Sequence, residues 1–211
     1  MSWERLRDGA AIWREIFEND AVVEIEIGSG DGTFLAAWAA RHPNRNLLGI
    51  ERSPSKARRL AERLAAWRFA NVRVLQADAR CLVASIIPAA SVAAYHVYFP
   101  DPWPKRVHAS RRIFTSEFVR GLAVTLVAGG RLHFATDVAT YADVACRHVL
   151  ASAAFREIAV AEAMESHPGL TTSFARKYQA GGRALSSFIF ERLPVIADDQ
   201  ADPAASKIKS M

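Results

Sequence analysis

Short β-branched runs alternate along the chain with longer segments whose apolar residues recur at helical spacing. Trp3, Leu6, Ile12, Trp13, Ile16 and Phe17 predict an amphipathic helix over residues 2–19, with Ser2 as its cap and Asn19-Asp20 as its end. VVEIEI (22–27) reads as a strand that stops at Gly28-Ser29-Gly30-Asp31-Gly32, and TFLAAWAARH (33–42) as the helix that follows. NLLGIE (46–51) is a second strand. Ser53-Pro54 then opens a helix with a cap residue and a proline at the first position, and Arg58, Arg59, Glu62 and Arg63 mark its wet face. VRVLQ (72–76) is a third strand, with a helix over 79–87. The apolar run SVAAYHVYF (91–99) is a fourth, stopped by Pro100, Pro102 and Pro104, which have no N–H for a ladder and a fixed φ. A helix over 111–128 with Gly129-Gly130 as C-cap, a strand at 131–136, a helix at 138–152 and a strand at 155–161 come next. A long loop (163–184) and a last strand, LSSFIFER (185–192), complete the pattern.

This alternation predicts an α/β fold, a doubly wound, mostly parallel sheet with helices on both faces. At 211 residues and 51% hydrophobic, the chain has material for one domain, expected over 1–193, with a polar, alanine-rich and disordered tail over 194–211. No internal repeat is evident.

The net charge of +5 suits an anionic partner, and the densest basic run is Lys105, Arg106, His108, Arg111 and Arg112. Cys81 and Cys146 are far apart and follow no metal-ligand spacing, which points to a reducing compartment and no metal. No signal peptide and no membrane-spanning run are expected, so the chain reads as soluble and cytoplasmic.

The candidate chemistry lies at strand ends. A strand, a glycine loop and a helix make a ligand-binding opening, because glycines let the backbone approach a ligand and the helix start offers free N–H groups. Thr33 stands where a dinucleotide fingerprint has its third glycine, which argues against a pyrophosphate. Glu51 ends the second strand about 20 residues past the loop, the place from which a carboxylate takes ribose hydroxyls. Asp78 suits either an adenine amino group or a helix N-cap. Glu26, Glu51, Asp78, Asp101 and Asp137 fall at or just past five successive strand ends, and ligands of open parallel sheets bind outside those ends. Asp101, Trp103 and Lys105 share the proline loop. Trp103 is either a stacking platform or the indole that pins the loop.

Glu-Ile-Gly-Ser-Gly-Asp-Gly (26–32) with Glu51 resembles motifs I and II of class I S-adenosylmethionine-dependent methyltransferases. Phe-Pro-Asp-Pro-Trp-Pro-Lys-Arg-x-His-x-x-Arg-Arg (99–112), with Thr136-Asp137 and Thr172-Ser173-Phe174, resembles the bacterial tRNA (guanine-N7-)-methyltransferases over roughly residues 20–192. The resemblance implies a seven-stranded sheet whose last strand is antiparallel, and S-adenosyl-L-methionine as cofactor. It implies a tRNA partner methylated at N7 of a variable-loop guanine. It places Glu26, Gly28, Ser29, Gly30, Glu51, Asp78 and Asp101 at the cofactor, and Lys105, Asp137 and Thr172-Ser173-Phe174 at the guanine nucleotide. Val107 to Arg112 would meet the RNA. Ala175 stands where the resemblance predicts a glutamate, while Lys177 keeps the basic position; Glu162 or Glu165 could stand in. The stretch before the first strand lacks the basic run that many members carry.

On this reading Asp101 is the catalytic residue. Asp101 and Asp137 take the N1–H and 2-amino edge of guanine or steady the cofactor amine, and Lys105, Arg106, Arg111 and Arg112 neutralise phosphates. Rival readings are a small-molecule methyltransferase, a tRNA-binding protein without turnover, and a nicotinamide-dependent oxidoreductase. Both a monomer and a homodimer suit such a fold.

Overall fold

The computed structural model describes residues 9–159 and 184–194. Seven strands form one sheet: β1 (Val23–Ile27), β2 (Asn46–Glu51), β3 (Val72–Gln76), β4 (Val92–Tyr98), β5 (Leu126–Thr136), β6 (Phe155–Ile158) and β7 (Ser186–Arg192). Their order is β3-β2-β1-β4-β5-β7-β6. The first five strands run parallel to one another, and β7 runs antiparallel to both β5 and β6. Strand order reverses between β1 and β4, so the carboxyl ends of these two strands flank the crevice where such sheets bind ligands.

Among the described residues six helices cover the sheet: α1 (Gly9–Phe17), α2 (Thr33–Arg41), α3 (Pro54–Trp67), α4 (Ala79–Ser85), α5 (Ser116–Thr125) and α6 (Ala139–Ala151). Strand alternation sorts the core into two halves. Ile25 and Ile27 of β1, Tyr95 and Val97 of β4 and Phe134 of β5 pack in one cluster with residues of α1, α4, α5 and α6. Phe34, Leu35 and Trp38 of α2 and Leu60 of α3 pack on the other face, against Leu47, Val72, Tyr98 and Ala135. Among the described residues no helix is long and apolar enough to cross a membrane.

The expected elements recur with shifted ends. The predicted first helix is seen over Gly9–Phe17; Ser2, Trp3 and Leu6 lie outside the described residues. The largest correction falls on 111–128. Arg106–Arg111 form a 3₁₀ turn, and α5 starts only at Ser116 because Thr115 caps it, its hydroxyl accepting from the Phe118 N–H at 3.2 Å. The helix ends at Thr125, and Gly129-Gly130 is no cap. It lies inside β5, where the register against β4 jumps from Val92–Leu126 to Ala94–Arg131. A side chain at position 130 would come within 2.9 Å of the Val127 carbonyl, so the glycine is used for a bulge rather than a helix end. The Ser53 hydroxyl does not cap α3 either: its backbone N–H donates to Glu51 Oε1 at 2.8 Å, and Pro54 keeps the first-turn place.

Candidate active site

A cleft opens at the carboxyl ends of β1, β2, β3 and β4. Gly28, Gly30, Glu51, Asp78 and Asp101 line it, together with Arg52, Lys56, Arg80, Tyr98, Trp103 and Arg111. Seven of the residues singled out from the sequence, Trp103 and Arg111 among them, thus converge on one cavity.

The glycine loop owes its shape to two different demands. Gly28 has φ +81, and a Cβ built there meets nothing within 4 Å, so its backbone faces open cleft. Gly32 has φ +76, and a Cβ there would stand 2.1 Å from Leu60 Cδ1 of α3, so this glycine is required for packing. The loop is fastened to β2 by the Gly28 N–H donating to the Ile50 carbonyl at 2.8 Å and the Gly30 N–H donating to Glu51 Oε2 at 3.0 Å. Glu51 is therefore pre-set, each carboxylate oxygen holding one backbone N–H (Gly30, Ser53) and keeping lone-pair capacity for a ligand. Asp78 serves as the N-cap of α4, accepting from the Arg80 N–H at 2.9 Å. It also pairs with the Arg80 guanidinium at 3.2 Å, and these bonds hold its carboxyl below the usual carboxylate range.

Glu26 and Ser29 lie below the cleft rather than on its wall, both buried. Burial pushes the Glu26 carboxyl up to about 8; the charges of Asp31 and Glu51 add to the shift and the Ser29 hydroxyl opposes it. Glu26 Oε2 is buried with no hydrogen-bond partner.

The proline loop is stiff in two senses. Phe99 and Trp103 take φ +49 and +40, a region costing a non-glycine residue about 1 kcal/mol each. The Phe99 N–H donates to the Ala135 carbonyl at 2.8 Å, and Arg112 clamps the loop from below. Arg112 Nε donates to the Pro102 carbonyl at 2.9 Å, and its terminal nitrogen donates to that of Trp103 at 3.1 Å. Arg112 thus holds the loop through two of its three nitrogens, and donation to carbonyls leaves its charge uncancelled. Arg111 lies over the Trp103 ring at 4.9 Å, with His108 against the same indole edge-on at 5.6 Å. Trp103 is thereby a pinned wall of the cleft. Lys105 is exposed just before the 3₁₀ turn, and Arg106 belongs to that turn. Asp137 follows the end of β5, outside the cleft lining. Thr172, Ser173, Phe174, Ala175, Lys177, Glu162 and Glu165 lie outside the described residues.

Sequence reasoning missed the floor of this site. On the α2 side of the sheet, Glu24 and Glu26 of β1, His96 and Tyr98 of β4 and His133 of β5 form a buried polar column. Glu24 Oε2 accepts from Trp38 Nε1 at 2.8 Å and pairs with His96 Nε2 at 2.7 Å, while Arg45 pairs with its other oxygen. His96 Nδ1 meets the Tyr98 hydroxyl at 3.0 Å, and the His133 ring stacks on His96 with centroids 4.8 Å apart. The signal was present as polar residues at alternate strand positions, hidden among β-branched neighbours. Among the described residues no cluster of three or more His, Cys, Asp or Glu could hold a metal ion.

Residues 20–189 match the family model Methyltransf_4, described as "Putative methyltransferase". The tRNA (guanine-N(7)-)-methyltransferase of Saccharophagus degradans is 33% identical over 189 residues, covering 89% of this chain and 82% of that protein. That of Thermotoga maritima is 35% identical over 173 residues, covering 81% of this chain and 54% of the relative, so the chain spans about half that protein's length. Among solved structures, the 16S rRNA methyltransferase KamB superposes with a TM-score of 0.61 at 17% identity, over 87% of this chain and 94% of that one, which is a likeness of fold.

Proposed function

The chain belongs to this methyltransferase family, and on that premise we propose that it transfers a methyl group from S-adenosylmethionine to N7 of a variable-loop guanine in tRNA. The observation that carries the reading is the convergence of the glycine loop, Glu51, Asp78 and Asp101 on one cleft whose outer wall is the proline loop, through Pro100, Asp101 and Trp103, with Arg111 beside it.

The residues fit the cofactor. Gly28 leaves backbone open to the cleft, and Glu26 Oε2 is a buried acceptor without a partner where a cationic ligand would complete it. S-adenosylmethionine supplies an electrophilic methyl on a sulfonium, and guanine N7 offers a lone pair with no proton to remove, so the chemistry needs no general base. The protein's work is therefore alignment. Glu51, held by two backbone N–H groups, takes the ribose hydroxyls. Asp78, fixed by Arg80, stands at the adenine end. Glu26, buried beneath the cleft, would hold the positive end of the cofactor. Asp101 and Asp137 hold the guanine edge or the cofactor amine. Lys105 and Arg106 meet the RNA, and Thr172-Ser173-Phe174 complete the nucleotide site. A tRNA substrate and the free thiols Cys81 and Cys146 accord with the cytoplasm.

The test is incubation with radiolabelled S-adenosylmethionine and unmodified tRNA transcripts, beside a transcript whose variable-loop guanine is changed to adenine. 7-Methylguanosine that disappears with the G→A change is the expected result. Binding of cofactor and tRNA without methyl transfer would leave a tRNA-binding protein, and methylation of small molecules alone would remove RNA from the reading.

A further inference from the structure

We infer that the cationic face of α3 is a second contact surface for the RNA backbone, across the cleft from the Pro100–Lys105 loop. The inference rests on the tRNA reading above and extends it to residues which that reading leaves unused.

Lys56, Arg59 and Arg63 recur at intervals of three and four, so they share one face of α3 along a rise of about 10 Å. Arg52 stands just before the helix, and all four are exposed. Arg52 and Lys56 line the cofactor cleft. Lys56 also lines a neighbouring hollow with Arg59 and Arg63, and the two cavities share Gly30. A row of positive charge therefore starts on the rim of the reacting site and runs away from it. Its members differ in how far they are neutralised. Arg58, off this row, pairs with Glu62 at 3.8 Å. Arg63 donates to the Asp31 carbonyl at 2.7 Å, which leaves its charge uncancelled. Lys56 and Arg59 make no ion pair among the described residues. Asp31 and Glu62 are the carboxylates of the same hollow, and Glu62 is the one already held by Arg58.

The opposite rim carries cations too: Arg80 is neutralised by Asp78, while Arg112 donates to loop carbonyls and Arg111 lies on Trp103, both with their charge uncancelled. A guanine whose N7 enters the cleft brings backbone over both rims, because the chain must run in on one side and out on the other. Phosphates need cations there, and α3 holds them. An acidic protein surface would meet the same charges, but the row opens directly onto the methyl-transfer cleft, which favours the RNA whose base enters it.

The experiment compares two arginines one residue apart. Affinity of the full chain for an unmodified tRNA transcript is measured between about 50 and 200 mM salt for wild type, Arg59→Glu and Arg58→Glu, with S-adenosylhomocysteine binding as the check on the cleft. Arg59→Glu is expected to weaken tRNA binding about tenfold and to flatten the salt slope by about one, with S-adenosylhomocysteine affinity unchanged. Arg58→Glu is expected to weaken it less than about threefold. If Arg59→Glu disturbs folding, Arg59→Gln must show the same flattened slope. Unchanged tRNA affinity in the Arg59 variants, or an equal loss in Arg58→Glu, would overturn the inference while leaving methyl transfer by the wild type intact. A wild-type chain that binds no tRNA would remove the functional reading and this one together.

Discussion

Glu24 and Glu26 stand two residues apart on β1, on the same face, and both are buried. Burial pushes both carboxyls up, yet one ends low and the other high. For Glu24 the opposing bonds and charges of His96 and Arg45 outweigh burial and bring it down to about 2. Glu26 has the Ser29 hydroxyl to oppose its burial, with Asp31 and Glu51 as like charges nearby, and reaches about 8. Glu24 is a finished ion pair that locks the sheet to Trp38 of α2. Glu26 is an unfinished one, at the end of the same strand where the cleft opens. What separates a structural acid from a site acid here is how many partners the fold supplies, since depth is nearly the same.

The comparison can be broken most forcefully at Glu24. Glu24→Gln leaves His96, Trp38 and Arg45 facing a neutral amide, and a loss of about 3 kcal/mol in urea unfolding is expected. At Glu26 the same change should do the reverse. Glu26→Gln removes a charge that is costly to ionise, so stability at pH 9 should hold or rise, while S-adenosylhomocysteine affinity measured by calorimetry should fall by about tenfold.

The two acids also predict opposite slopes with pH. Between 4.5 and about 8 the unfolded chain has released the Glu26 proton and the folded chain retains it, so Glu26 makes stability fall as pH rises through that window and level off above it. Glu24 contributes stability above 4.5 that is lost as pH falls toward about 2. Unfolding curves from pH 3 to 9 should therefore lose part of their fall between about 4.5 and about 8 in Glu26→Gln; an unchanged slope across that window would mean that Glu26 is not held protonated. The smallest effect is expected from Tyr98→Phe, which removes the bond to His96 Nδ1. It should cost about 1 kcal/mol in thermal or urea unfolding, with cofactor affinity within about twofold.

Much of this architecture was legible in the residues. Each β-branched run became a strand in the expected place, and the acids at four strand ends came to the cleft or its floor, because strand direction alone decides that edge. Asp137 did not join the cleft lining. What was not legible depended on partners far away in sequence. Arg112 read as one more cation of the basic run, and only the fold brings the Pro102 and Trp103 carbonyls to it, which makes it a clamp of the loop as well. Gly129-Gly130 suits a helix end and a strand bulge equally by composition; Thr115, placed to start a helix late, was the overlooked clue. The polar column was hidden because Glu24, His96 and His133 sit among Val, Ile and Phe, and an apolar average conceals a face that is polar at every second position.

One further property follows from the glycine loop. Its third glycine abuts Leu60, and its Asp31 carbonyl is held by Arg63, both on α3. The loop that faces the cleft and the helix whose outer face is cationic thus share a wall. Thermodynamic reciprocity then governs whatever binds on either side: any preference that an occupant of the helix creates for the loop's ligand is returned in equal measure. A methyl side chain at position 32 would wedge that wall apart and disturb both sides at once.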